Sequence, residues 1–124
     1  MILPVGSGDI LMQQNNHGDI HYTLGGQSFI WDNNKAKENI KKHKVHFEES
    51  ASVFLDLRTI YVDDEEHSID EERSIAIGFS KKARILMVCH CLRENNETIR
   101  IISARKAVQS EIDDWEAENN ESGL

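Results

Sequence analysis

One proline, two cysteines and a shortage of positive charge mark this chain of 124 residues. Each shortage excludes something. Cys89 and Cys91 cannot build the disulfide framework of a small secreted scaffold. Two residues apart on a strand, they share a face without the geometry to bridge each other. They read as buried thiols packing as small hydrophobes in a reducing compartment. A metal site at Cys89-His90-Cys91 is the rival reading, but His90 points away from both thiols and no CxxC spacing supports it, so no metal and no cofactor are expected. No apolar run is long enough to span a bilayer. Met1-Ile2-Leu3-Pro4-Val5-Gly6 lacks the basic start and apolar stretch of a signal peptide, so a cytoplasmic, membrane-free protein is expected. Lys and Arg number 14 against 22 Asp and Glu, a net charge of −8, which argues against a general nucleic-acid-binding surface.

What charge there is falls in blocks. Asp63-Asp64-Glu65-Glu66 and Asp70-Glu71-Glu72 form one acidic block, and Glu111, Asp113, Asp114, Glu116, Glu118 and Glu121 form another. Positive charge collects at Lys35, Lys37, Lys41, Lys42 and Lys44, with His43 and His46 in the same stretch. Arg100, Arg105 and Lys106 make a second basic group. If the fold brings the two together, a locally basic cleft exists on an acidic protein; if not, they are solvated faces.

The length suits one domain. Residues 1–28 are Gly- and Asn-rich with few apolar anchors and read as an N-terminal extension, mostly loose before residue 19, with Met12 as an alternative start. Ile20, Tyr22 and Leu24 alternate before Gly25-Gly26, and Phe29-Ile30-Trp31 follows, which reads as a hairpin or as part of the leader. The folded domain is expected over 29–118, with 119–124 a frayed acidic tail. Asp32 or Asn33 caps a helix to about Lys44, and a short helix runs from Glu48 to about Asp56 with both glutamates at its positive end. The period then changes to two: strands at Arg58–Val62, around Ile75–Phe79, at Ile85–Leu92 and at Thr98–Ser103, with a turn at 93–97. A last helix is expected from about Ala104, with Val108, Ile112 and Trp115 on one stripe. The fold class is α+β: an N-terminal helix pair, an antiparallel meander and a C-terminal helix.

Phe29-Ile30-Trp31-Asp32, then Lys35-Ala36, Asn39, Lys42-His43 and Val45-His46-Phe47-Glu48-Glu49-Ala51, resemble the opening of BrnT-family toxins. Glu71-Glu72-Arg73, Ile77-Gly78, Val88-Cys89-His90 and Arg100-Ile101-Ile102-Ser103-Ala104-Arg105-Lys106-Ala107 match the family's later landmarks in order. The likeness covers residues 29 to about 116. Lys44 departs from it, standing where the family usually has Gly after the His. The resemblance implies a small RelE-like domain, ribonuclease activity that arrests growth, and neutralisation by a BrnA-type antitoxin. It also implies a hetero-oligomeric toxin–antitoxin complex that meets operator DNA only through the antitoxin.

RNA can be cleaved without metal when its 2′-OH attacks the adjacent phosphate. The enzyme must then take that proton, protonate the leaving 5′-oxygen and stabilise the charged phosphorane. On this reading His43, Glu72, Arg100 and Arg105 are the catalytic candidates, and Lys35, Asn39, Lys42 and Lys106 bind RNA. Helical spacing puts Lys35, Asn39 and His43 on one stripe that can edge a cleft, although a cation at His43 is also favoured simply by the helix C-terminus. Arg100 among isoleucines needs a partner, either a salt bridge to Glu71 or Glu72 or a phosphate. Arg105 is expected at the strand-to-helix junction beside backbone N–H groups. Glu72-Arg73 can equally be a strand-edge ion pair. His90, on the side of Leu86 and Val88, reads as a core histidine. Two rival readings remain: a non-catalytic interaction module that only binds its partner, consistent with the acidic charge, and a DNA-binding repressor reading through the lysine helix.

Overall fold

The computed structural model describes residues 12–14, 18–64, 72–93 and 95–123. In chain order the elements are β1 (Met12–Gln14), β2 (Asp19–Leu24), β3 (Gln27–Asp32), α1 (Asn33–His43) and α2 (Phe47–Val53). They continue with β4 (Ile60–Asp63), β5 (Ser74–Phe79), β6 (Ile85–Arg93), β7 (Thr98–Lys106) and α3 (Gln109–Gly123). Among the described residues the seven strands form one sheet ordered β1-β2-β3-β7-β6-β5-β4. The β3–β7 pair is parallel and the others are antiparallel.

The helix pair is therefore not N-terminal. A hairpin precedes it: Leu24 pairs with Gln27 across a two-residue turn, and Gly25 and Gly26 take the positive φ (58° and 81°) that such a turn demands. Alternation in β2 buries Ile20 and Tyr22. Strand β1 pairs with β2, so the leader before residue 19 is not wholly loose; residues 1–11 and 15–17 lie outside the described residues, as does 65–71 of the acidic block. Met12, the alternative start, is the first residue of β1.

Trp31-Asp32 ends β3 and starts α1 in one step. The Asp32 carboxylate accepts from the N–H of Asn34 (2.7 Å) and Lys35 (3.0 Å), satisfying donors a helix start leaves open. The other end closes at Lys44 in the left-handed region (φ 58°, ψ 34°), its N–H donating to Ile40 O. Lysine thus adopts the conformation that favours glycine at a helix end. Helices α1 and α2 cover one face of the sheet, where Tyr22, Phe29, Trp31, Phe47, Leu86, Val88, Ile101 and Ala104 form the core. Trp31 meets Tyr22 at 5.3 Å and Phe47 edge-on at 5.7 Å between centroids.

Several boundaries move for tertiary reasons. Strand β7 runs on to Lys106 because Ala104, Arg105 and Lys106 pair with Val88, Met87 and Leu86, so ladder pairing overrides helix propensity. Helix α3 consequently starts at Gln109, and it runs to Gly123. Val108 stands before it, exposed, and the apolar stripe shrinks to Ile112 and Trp115. Trp115 packs edge-on against Phe79, fastening α3 to the sheet, while the Arg58 guanidinium lies over both rings. Helix α2 stops at Val53 and β4 begins at Ile60, because Asp56 caps the turn between them through the Arg58 N–H and side chain. Gly78 is required by close approach: a Cβ there would lie 2.1 Å from Thr59 Oγ1, which itself bonds Val53 O. Between β6 and β7, Asn95 and Asn96 take positive φ in the turn expected there; Glu94 lies outside the described residues.

Candidate functional site

Strand β7 carries the sequence's second basic group, and a bulge divides it. Cys89 pairs with Ser103 and His90 with Ile101, so Ile102 is the extra residue. Before the bulge, Ile99 and Ile101 face the helices. Arg100 between them faces the other way, with Ile30 and Cys91 as its register neighbours. After the bulge Ala104 faces α1. Asn39 grips it there: the Ala104 N–H donates to Asn39 Oδ1 (3.0 Å), and Asn39 Nδ2 donates to Ala104 O (2.8 Å) and Val45 O (3.0 Å).

The expected stripe on α1 forms, and it borders a shallow cleft of about 230 Å³ between α1 and β7. Lys35, Lys42, His43 and Glu38 line one side, Ile102 and Ser103 the other. Lys35 and Lys42 are exposed and His43 is half-buried. Asn39 sits on this stripe but is buried, with both amide hydrogens committed to the backbone. It lines the cleft while fixing α1 to β7, and its amide hydrogens are engaged by Val45 O and Ala104 O.

The remaining expected residues do not converge on that cleft. Arg100 pairs with Asp19 through bonds of 3.3 and 3.4 Å, not with Glu72, and Glu71 lies outside the described residues. Arg105 holds Glu111 in a bidentate pair at 2.9 Å. That carboxylate also accepts the Val108 N–H at the entry to α3, so Arg105 anchors a helix rather than standing at its N-terminus. Burial would raise the Glu111 carboxyl, but the bonds from Arg105 and Val108 hold it below the ordinary range. Lys106 is exposed at the end of β7. Glu72 is exposed at the rim of a different cavity, which His90, Tyr61 and Phe54 also line. His90 is buried with Nδ1 3.3 Å from Val88 O, and burial lowers its pKa, keeping the imidazole neutral.

Burial, with the Asp64 carboxylate next, pushes the Cys89 thiol up to about 11, so it is protonated at neutral pH. Among the described residues no group of three or more His, Cys, Asp or Glu side chains is gathered as a metal site, and no helix is long and apolar enough to cross a membrane.

One ionic network escaped the sequence. Glu49, read there as one of two glutamates at a helix start, is 1% exposed. Arg84 grips both its oxygens at 2.6 and 2.7 Å, and the Ser80 hydroxyl donates at 2.6 Å. Burial opposes its charge, but those donors more than compensate and hold its carboxyl below the ordinary range. Arg84 also donates to Lys44 O, tying the end of α1 to α2 and to the β5–β6 turn. The only sequence signal was that Glu49 lies between the apolar Phe47 and Ala51.

The model of the ribonuclease toxin BrnT of type II toxin–antitoxin systems matches residues 31–111. The crystal structure of the ribonuclease toxin BrnT from Brucella abortus is similar at 27% identity and a TM-score of 0.49, over 64% of this chain and 94% of that one. No curated protein sequence matches. With residues 31–111 matched by that model, the chain belongs to the BrnT family of ribonuclease toxins of type II toxin–antitoxin systems.

Proposed function

We propose that this protein is an endoribonuclease toxin that cleaves RNA by 2′-OH attack, without a metal ion, in the cleft between α1 and β7. The observation that carries this reading is the gathering of Lys35, Lys42 and His43 around that cleft in a chain of net charge −8. A local positive field is what brings a polyanion to an acidic protein. His43 takes the proton of the 2′-OH as its oxygen bonds to phosphorus; the bond to the 5′-oxygen breaks, that oxygen gains a proton, and a 2′,3′-cyclic phosphate remains. Imidazole is the side chain suited to such transfers near neutral pH. Lys35 and Lys42 offset the charge on the phosphorane. The same reading gives a cytoplasmic protein of RelE-like fold. It arrests growth, is neutralised by a BrnA-type antitoxin in a hetero-oligomeric complex, and meets operator DNA only through that partner.

A second placement of the site is favoured by Arg100. Its bonds to Asp19 are long, and the pair is about one-fifth exposed, at 23% and 21%. A phosphate, bound bidentately, can replace such a carboxylate. The tighter Arg105–Glu111 pair is the poorer candidate for exchange.

Induced expression decides between these readings. The wild type is expected to arrest growth and degrade total RNA, with rescue by co-expressed antitoxin. His43→Ala, if folded, is expected to do neither. Loss of activity in Arg100→Ala with activity kept in His43→Ala moves the site to the other face of β7. Intact RNA with folded wild-type protein leaves only a binding module.

A further inference from the structure

We propose that the cavity between Phe54, Tyr61 and His90 holds a guanine base of the RNA substrate. The identity of the strand rests on the ribonuclease reading; the identity of the base rests on the lining. The cavity measures about 490 Å³, within the range of roughly 300–1,000 Å³ usual for small-molecule sites. Phe54 and His90 meet at right angles with centroids 4.7 Å apart, and Tyr61 stands edge-on to His90 at 6.1 Å. Leu92 and Ile99, register partners on β6 and β7, complete an apolar wall. Tyr61 is 55% exposed, so its ring has a face free for stacking, and burial raises its pKa, keeping the phenol neutral.

Among the described residues no lysine or arginine lines this cavity, so a phosphate is not what it selects. Aromatic rings without cations fit the flat face of a base, and every base offers that face. Glu72 narrows the choice. An ionised carboxylate only accepts hydrogen bonds, and guanine presents adjacent N1–H and N2–H donors that match its two oxygens. Asn96 supplies an amide to donate to O6. The His90 Nδ1 lies against Val88 O, which leaves Nε2 as the ring nitrogen for the cavity.

The test is a titration of isotopically labelled full-length protein with the four nucleoside 3′-monophosphates and with inorganic phosphate, read at the ring signals of His90 and Tyr61. Guanosine 3′-monophosphate is expected to shift them saturably and to bind about tenfold tighter than the other three, the discrimination of a good bidentate pair. Glu72→Gln is expected to erase that preference, and Tyr61→Ala to weaken all four by about tenfold. The proposal is overturned if no nucleotide moves these signals, if phosphate alone reproduces the shifts, or if Glu72→Gln keeps the preference. It is equally overturned if the rings respond to the antitoxin and to no nucleotide, which makes the cavity a protein-docking site. Base binding without RNA cleavage leaves this inference standing and removes the ribonuclease reading; cleavage without base binding does the reverse.

Discussion

Two concavities on this molecule have opposite chemistry. Among the described residues, the α1–β7 cleft is lined by Lys35, Lys42, His43 and Glu38 with no aromatic carbocycle, and the Phe54–Tyr61–His90 cavity by rings and Glu72 with no lysine or arginine. The first matches the charged backbone of a nucleic acid, the second its uncharged bases. Histidine shows how context divides one residue type between them. His90 is buried against Phe54 and kept neutral, whereas His43 lies half-buried at the rim of a cleft beside lysines.

The change that breaks both regions at once is Glu49→Ala, because the Glu49–Arg84–Lys44 connection holds the end of α1 to α2. Leaving Arg84 without its carboxylate is expected to cost about 3–5 kcal/mol, measured by denaturant unfolding. The wild type should show the same contact through pH. Because the folded Glu49 carboxyl is held below its ordinary range, its contribution is complete above the unfolded value of about 4.3 and is lost as pH falls through the folded value. Unfolding followed from neutral pH down to acid should show the loss, and Glu49→Gln should flatten that part of the profile.

Next in size, His43→Ala is expected to slow RNA cleavage by about 100-fold with little change in stability. Tyr61→Ala should instead raise KM more than it lowers kcat. Single-turnover kinetics separate the two, and equal losses in kcat from both would erase the distinction between cleft and cavity. Asn39→Ala removes the buried clamp between α1 and β7 and leaves the Ala104 N–H without its acceptor, for about 2 kcal/mol of lost stability, measured by thermal unfolding. Smallest and opposite in sign, Lys44→Gly should stabilise the fold by about 0.5–1 kcal/mol by relieving left-handed backbone, since Arg84 bonds a Lys44 carbonyl that glycine retains.

The local parts of this structure were legible in the sequence. Asp32 as a cap, the alternation of Ile20, Tyr22 and Leu24, the two-sided apolar character of β6 and the Lys35–Asn39–His43 stripe all follow from period and residue chemistry. What escaped depends on distant pairings. Parallel pairing of Phe29 with Ile99 puts the hairpin inside the sheet and the helix pair after it, and no local pattern announces that. Asn39 looked like a polar member of a binding stripe because its three backbone partners at Val45 and Ala104 become visible only when α1 lies on β7. Arg84 and Glu49 are 35 positions apart, and each alone reads as a surface charge. Arg100 bonds Asp19 on β2, 81 positions away, a partner that no local pattern around Arg100 points to.

The most direct test of the central claim uses purified full-length protein and an RNA oligonucleotide, alongside the same oligonucleotide carrying 2′-deoxyribose at the cleaved position, both with chelator present. The account predicts cleavage of the all-ribose strand to a 2′,3′-cyclic phosphate, no cleavage of the deoxy-substituted strand, and loss of the reaction in folded His43→Ala. An intact ribose strand with folded wild-type protein, a deoxy-substituted strand cut as fast, or an undiminished rate in His43→Ala would contradict it.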